Sequence, residues 1–454
     1  MNKVRFIVQQ AHKLSNHING DTYDFQCINM HMSHLQESFT GDSRFNWTEG
    51  NKIQLKRLIN SGNIELISWE RMFTVVDEVK YIPTFFVVSI PEINSMFETG
   101  WIYWLTENAK SFLKETGIPI LLTQPGEFGF EWIESNEHLT SPSALFMHFN
   151  NRLHAEGLSN PVIIHNMSKL FFDPSPSGRK YHSTYSTQWI EHVKISSEHT
   201  QGLITYNDHL KNINNKKVFF CSNRAPRELR CLFLLSLIKH NNLDKGNVSF
   251  LCESPANVKL DRNQTLAYFK SLFSRMTVDS KDYRVHLDEV LKLLPIELEE
   301  DLEMRHDHVL PNSTINQHRL NSLIEIVSET HDFTKETARV GVLSEKAFWP
   351  IANQMPFVVL GHRRNNDLLH ELGFKTFEED LIVPAGPTAS CYQRVEYIND
   401  VIKTFNNMSD NDIFNWFNSD KLREKIEHNY NHLFNTKWNE LEIQALIDGF
   451  YKVF

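Results

Sequence analysis

Apolar residues in this chain fall into two alternating patterns. Short runs, TFFVVSI from Thr84, GIPILLTQP from Gly117 and PVIIHN from Pro161, have the length and turn-forming flanks of buried β-strands. Between them lie stretches with helical spacing, Ile93 to Glu115 and Ser143 to Ala155. Strands alternating with helices imply parallel pairing through crossover helices, the pattern of a doubly wound α/β layer. The first eighty residues mix short β-like runs, Val4 to Val8 and Ile64 to Trp69, with polar segments rich in His and Asn.

The same alternation restarts further on. KKVFFCS from Lys216 predicts a strand, Glu228 to His240 a helix, and NVSFLCE from Asn247 a second strand. A charged helical stretch from Leu260 to about Asn316 includes IELEEDLEMRHDH, whose acidic run reads as a solvated helix face. Beyond it come the strand IEIV, the helix start LSEKAFWPIANQM, the strand PFVVLG and the helix NNDLLHELG. The polar stretch QGLITYNDHLKNINN, residues 201–215, lacks a strong period and is the expected link. The expected organisation is an N-terminal Rossmann-like domain over 1–205, a second over 216–435, and an amphipathic helix over 436–454 that packs back on the first domain.

Length and composition agree with two domains. A chain of 454 residues exceeds the size at which one core stops growing, and its 41% hydrophobic content supports a large core in each half. Net charge of -10 argues against a global electrostatic grip on nucleic acid, although Lys211 to Lys217 and His362 to Asn366 offer local basic runs. The five cysteines, Cys27, Cys221, Cys231, Cys252 and Cys391, lack CxxC spacing and read as free thiols. No run of about 18 apolar residues is present, so no membrane span and a cytoplasmic location are expected.

Candidate chemistry gathers between Ile324 and Gly361. IEIV ends in Ser328 and Glu329, and after a polar loop Ser344 is placed to cap a helix whose first turn holds Glu345 and Lys346. In open α/β sheets ligands bind outside the carboxyl ends of strands, where a helix start and a lysine suit a diphosphate and a carboxylate suits ribose hydroxyls. Taken alone, Ser-Glu-Lys is more often an ordinary capped helix start with surface charges. Arg224 and Arg227 follow the strand KKVFFCS at a helix start, where a guanidinium fork can hold phosphate oxygens; the structural alternative is that Arg227 and Arg230 pair with Glu228 or coat a helix face.

SETHDF followed by LSEKAFWPIANQMPFVVLG resembles the donor-binding region of GT-B glycosyltransferases, in particular the fucosyltransferase-like group. The segment FFCSNRAPRELRCLF looks like the opening of the same domain in phage and giant-virus glycosyltransferase-like proteins. The likeness covers roughly residues 216 to 400. It implies two Rossmann-like domains facing a cleft, a nucleotide-sugar as co-substrate, no required metal, and contacts from Glu345 and Lys346 to ribose and phosphates. Ser344 stands where the group has Thr, and Asn353-Gln354-Met355 where it has Gly before Pro356.

Glycosyl transfer also needs either a base to take the proton of the attacking hydroxyl or, in a retaining enzyme, a means of shielding an oxocarbenium-like transition state. Glu127, after a Pro-Gly turn, and His165, at the end of PVIIHN, are the candidate bases, although a loop Glu is more often simply solvated and a lone His after a buried strand more often structural. His331 and Asp332 are further candidates on the donor side. His428 and His432 share a helix face, but Asn429 stands where a zinc-protease motif needs Glu, so they read as surface residues. The acceptor suggested by the phage-like flavour is a 5-hydroxymethyl pyrimidine in double-stranded DNA, with a glycan as the alternative. A non-catalytic nucleotide-binding protein on the same fold remains a separate reading. A dinucleotide oxidoreductase is disfavoured because no GxGxxG follows a predicted strand.

Overall fold

The computed structural model describes residues 3–8, 64–89, 105–123, 151–165, 169–172, 182–185, 190, 193–194, 197, 203–213, 216–253, 259–275, 281–298, 313–329, 343–361, 365–381 and 391–453. The chain divides into two compact units, one of residues 1–192 with 437–454, the other of residues 193–436. Both are α/β units built on parallel strands in the Rossmann manner.

In the first unit the strands are β1 (Val4–Val8), β2 (Ile64–Ser68), β3 (Thr84–Ser89), β4 (Ile120–Thr123), β5 (Val162–His165), β6 (Lys169–Phe172) and β7 (His182–Tyr185). They lie in the order β2-β1-β3-β4-β5-β6-β7, parallel as far as β5 and antiparallel beyond it. Phe85, Phe86, Val87 and Val88 are fully buried, as expected where helices cover both faces of a sheet. Helix α1 (Glu107–Thr116) is capped by Thr106 and ends at Gly117, whose φ of 67° is left-handed backbone. Of the expected amphipathic stretch, residues 93–104 lie outside the described residues. Helix Trp438–Val453 belongs to this unit and sets the Phe450 ring 5.5 Å from Phe85.

The second unit holds β8 (Lys217–Asn223), β9 (Gly246–Phe250), β10 (Ser322–Ser328) and β11 (Phe357–Leu360), ordered β11-β10-β8-β9 and all parallel. Its helices are α2 (Tyr206–Lys211), α3 (Glu228–Lys239), α4 (Arg262–Arg275), α5 (Lys281–Arg284), α6 (Leu287–Leu293), α7 (Ser313–Leu320), α8 (Trp349–Ala352), α9 (Asn365–Glu371), α10 (Cys391–Asn407), α11 (Asp410–Phe417) and α12 (Asp420–Asn435). Because β9 lies to one side of β8 and β10 to the other, chain direction across the sheet reverses between β8 and β10. In open α/β sheets such a reversal marks the crevice, outside the carboxyl ends of the strands, where ligands bind.

The expected link at residues 201–215 contains α2 and belongs to the second unit. Its polarity reflects a capping box, in which Thr205 and Asp208 satisfy each other's backbone N–H groups, rather than a free tether. Tyr206 is anchored through its hydroxyl to the Phe417 carbonyl at 2.6 Å, with the two rings stacked. The acidic run expected as a helix face falls mostly outside the described residues.

Candidate functional site

Strand β10 is buried at all seven positions, which is why IEIV reads as a mostly apolar run. Its one internal charge, Glu325, forms two hydrogen bonds with Arg319, Nε to Oε2 at 2.8 Å and Nη2 to Oε1 at 3.1 Å, and Arg319 also lies over the Phe220 ring. Such a buried fork-to-fork pair holds α7 to the sheet.

At the carboxyl end of β10, Glu329 is 2% exposed and both its oxygens are occupied. Oε1 accepts from the Ser344 backbone N–H at 3.0 Å and Oε2 from the Ser344 hydroxyl at 2.6 Å. That hydroxyl in turn accepts from Lys346, from its backbone N–H at 3.4 Å and from Nζ at 3.3 Å. Lys346 Nζ also donates to Glu345 Oε1 at 2.8 Å, while Glu345 Oε2 is buried with no partner among the described residues. Burial raises the pKa of the Glu329 carboxyl; the Lys346 charge and the two Ser344 bonds oppose that shift, and Glu345 adds to it.

These contacts revise two expectations. Glu329 was a candidate acceptor of ribose hydroxyls, but its oxygens are spent on Ser344, so it acts as an anchor that fixes Ser344 and, through it, Lys346. The helix start expected at Ser344 is a single 3-10 turn, Glu345–Ala347, running into the four-residue α8. Pro350 stands in the first turn of α8, so the run contributes local N–H groups rather than a sizeable macrodipole.

Across the crevice, Arg224 is the first residue after β8 and its carbonyl accepts from Glu253 N–H at 3.1 Å. Arg227 caps α3 with φ −130°, and its Nε is buried without a partner among the described residues. Glu228, the alternative partner for Arg227 or Arg230, accepts from the Ser271 hydroxyl at 2.7 Å. Arg230 instead reaches back from α3, donating to the carbonyls of Ala225 and Ser328 at 3.1 Å each, which pins the turn after β8 to the end of β10. Sequence reasoning missed this buried arginine because its position on α3 resembles any surface position.

It also missed three buried side chains at the same edge. The β8–β10 register, which pairs Glu325 with Phe220, sets Ser328 level with Asn223 on one face, and Asn223 Oδ1 and Ser328 Oγ both lack partners among the described residues. Asn365, at the start of α9, is fully buried and neither atom of its amide is partnered among them. Polar residues after apolar runs were the available signal, but ordinary turns carry the same residues.

Of the candidate bases, Glu127, His331 and Asp332 lie outside the described residues. His165 closes β5, level with Thr123 of β4 and Leu170 of β6. His428 and His432, expected as surface residues, clasp the end of α9. Their Nε2 atoms meet the carbonyls of Gly373 at 2.9 Å and Leu372 at 2.8 Å, supplying partners for its last turn. Gly373 has φ 90°, and a Cβ there would stand 2.5 Å from His432 Nε2, so the clasp requires glycine. The described cysteines Cys221, Cys231 and Cys252 are buried outside any disulfide, and burial pushes the Cys221 thiol up to about 12. Among the described residues no three His, Cys, Asp or Glu gather as a metal-binding group, and no helix is long and apolar enough to cross a membrane.

No protein-family model matches the chain, and no curated protein matches it. A solved structure of trehalose-6-phosphate synthase is similar at a TM-score of 0.33 and 10% identity, covering 98% of this chain and 99% of that one. At that distance the likeness carries no argument, and the functional reading rests on the site.

Proposed function

We propose that the protein is a glycosyltransferase whose second unit binds a nucleotide-sugar at the crevice between the carboxyl ends of β8 and β10. The carrying observation is the buried chain Glu329 to Ser344 to Lys346, which holds a half-exposed ammonium at the edge where the strand order reverses. Lys346, with Arg224 and Arg227, supplies positive charge for the diphosphate that leaves when the glycosidic carbon passes to the acceptor oxygen. Glu345, with one oxygen unpartnered, takes the ribose hydroxyls, and Ser344 and Glu329 hold Lys346 in position. This division of roles accords with the resemblance of the Ser344-Glu345-Lys346 region to fucosyltransferase-like donor domains.

The acceptor hydroxyl belongs to the first unit in this reading, with His165 or Glu127 receiving its proton. A hydroxymethylated pyrimidine in DNA is the preferred acceptor and a glycan the alternative. Incubation with a panel of nucleotide-sugars should release nucleoside diphosphate, and Lys346→Ala should abolish release while the protein stays folded. Failure of every donor to turn over, with nucleoside diphosphates still raising the melting temperature, would make the protein a non-catalytic nucleotide binder. Mass spectrometry of DNA nucleosides incubated with the turning-over donor separates the two acceptor classes.

A further inference from the structure

The amide of Asn365 has no explanation in the fold. It is completely buried at the first position of α9, and neither Oδ1 nor Nδ2 has a partner among the described residues. Burying an unmatched amide costs about 1–3 kcal/mol, and folded proteins carry few such groups. Its neighbours on the helix, Leu368 and Leu369, are buried apolar residues, so a leucine here would satisfy the core equally well.

Its location gives the amide a use. At Gly361, immediately after β11, an added Cβ would stand 2.5 Å from Asn365 Nδ2 and 3.0 Å from Glu329 Cβ. Only glycine leaves room for the amide to lie against the strand end and the side chain that anchors Ser344. Asn365 is therefore one residue removed from the Glu329 to Lys346 chain, on the β11 side of the crevice. Unlike Lys346, Arg224 and Arg227 it is neutral, and it presents one donor and one acceptor side by side. That pair complements a group that also carries both, such as the edge of a nucleobase, and is poorly matched to a phosphate, which only accepts.

We propose that Asn365 is a specificity-determining residue that hydrogen-bonds the nucleoside part of the ligand, most directly the base edge. The proposal rests on the nucleotide-sugar reading of the same crevice. A ligand must part the side chains around the amide to reach it, and the two hydrogen bonds formed offset that displacement.

Calorimetric titration with UDP, GDP, ADP and inorganic pyrophosphate, on wild type, Asn365→Leu, Asn365→Asp and Lys346→Ala, tests the assignment. Asn365→Leu should melt no lower than wild type without ligand, because it removes an unmatched amide. It should weaken the preferred nucleoside diphosphate by about tenfold or more while leaving pyrophosphate unchanged. Asn365→Asp, which keeps the shape but exchanges the donor for an acceptor, should change the order of preference among the bases and stands in if the leucine variant does not fold. A lower melting temperature for Asn365→Leu with unchanged nucleotide affinity would make the amide structural, bound to buried water, and overturn the proposal. Loss of binding in Lys346→Ala alone removes only the Asn365 assignment, whereas a wild type that binds no nucleoside diphosphate removes both readings.

Discussion

The two ends of the four-stranded sheet in the second unit treat polar groups differently. At the amino end they are matched to one another. Lys216 Nζ donates to His209 Nδ1 at 2.9 Å and to the Ser322 carbonyl at 3.2 Å, and the opposite ring nitrogen, Nε2, meets the Asn353 carbonyl at 3.0 Å. These partners assign the proton of a neutral His209 to Nε2, because Nδ1 must accept. Asn247 Nδ2 reaches the Ser322 hydroxyl at 3.0 Å in the same layer. At the carboxyl end Asn223 Oδ1, Ser328 Oγ, Glu345 Oε2 and both amide atoms of Asn365 stand without partners among the described residues. One end is held largely by internal pairing; the other keeps more hydrogen-bonding capacity in reserve, as a ligand site does.

The largest expected effect lies between the two ends. Glu325→Ala strands Arg319 inside the sheet, and breaking a buried pair in this way costs about 3–5 kcal/mol. Urea denaturation should show the midpoint falling without a change in nucleotide affinity beyond the loss of folded protein. Ser344→Ala acts at the carboxyl end: it severs the link from Glu329 to Lys346, and turnover should fall by about 10²-fold through misplacement of the ammonium. A steady-state assay would contradict this if turnover stayed at the wild-type level.

A further effect belongs to the amino end and depends on pH. Burial pushes Lys216 down to about 7, against about 10.4 in an unfolded chain. Between those values the unfolded chain binds the proton and the folded chain does not, so stability should rise with pH from about 7 towards 10. Below 7 both states are protonated and the burial cost is present in full. Lys216→Met should flatten melting temperature against pH across that window while leaving turnover unchanged. An unaltered slope would show that Lys216 does not carry it.

The alternating α/β order was legible in the chain because period and run length report burial directly: β8, β9, β10 and β11 all overlap runs that read as strands. The charge inside IEIV was not, since Arg319 is the partner that makes Glu325 tolerable there and nothing in the local pattern names it. Ser344 could be read as a cap, yet its bond to Glu329 spans fifteen residues and depends on the β10 register. Asn223, Ser328 and Asn365 resembled turn formers, and only burial without partners distinguishes them. The carbonyl partners of His428 and His432 left no trace in spacing, because they come from the end of another helix.

The contrast between the ends is most directly tested by hydrogen–deuterium exchange of the full chain with and without the nucleoside diphosphate that binds best. Slowed exchange should concentrate in peptides covering 224–230, 328–329, 344–348 and 361–366, with peptides over 205–213 and 318–322 unchanged. Protection confined to the amino-end peptides, around Tyr206 and Gln354, would contradict the account.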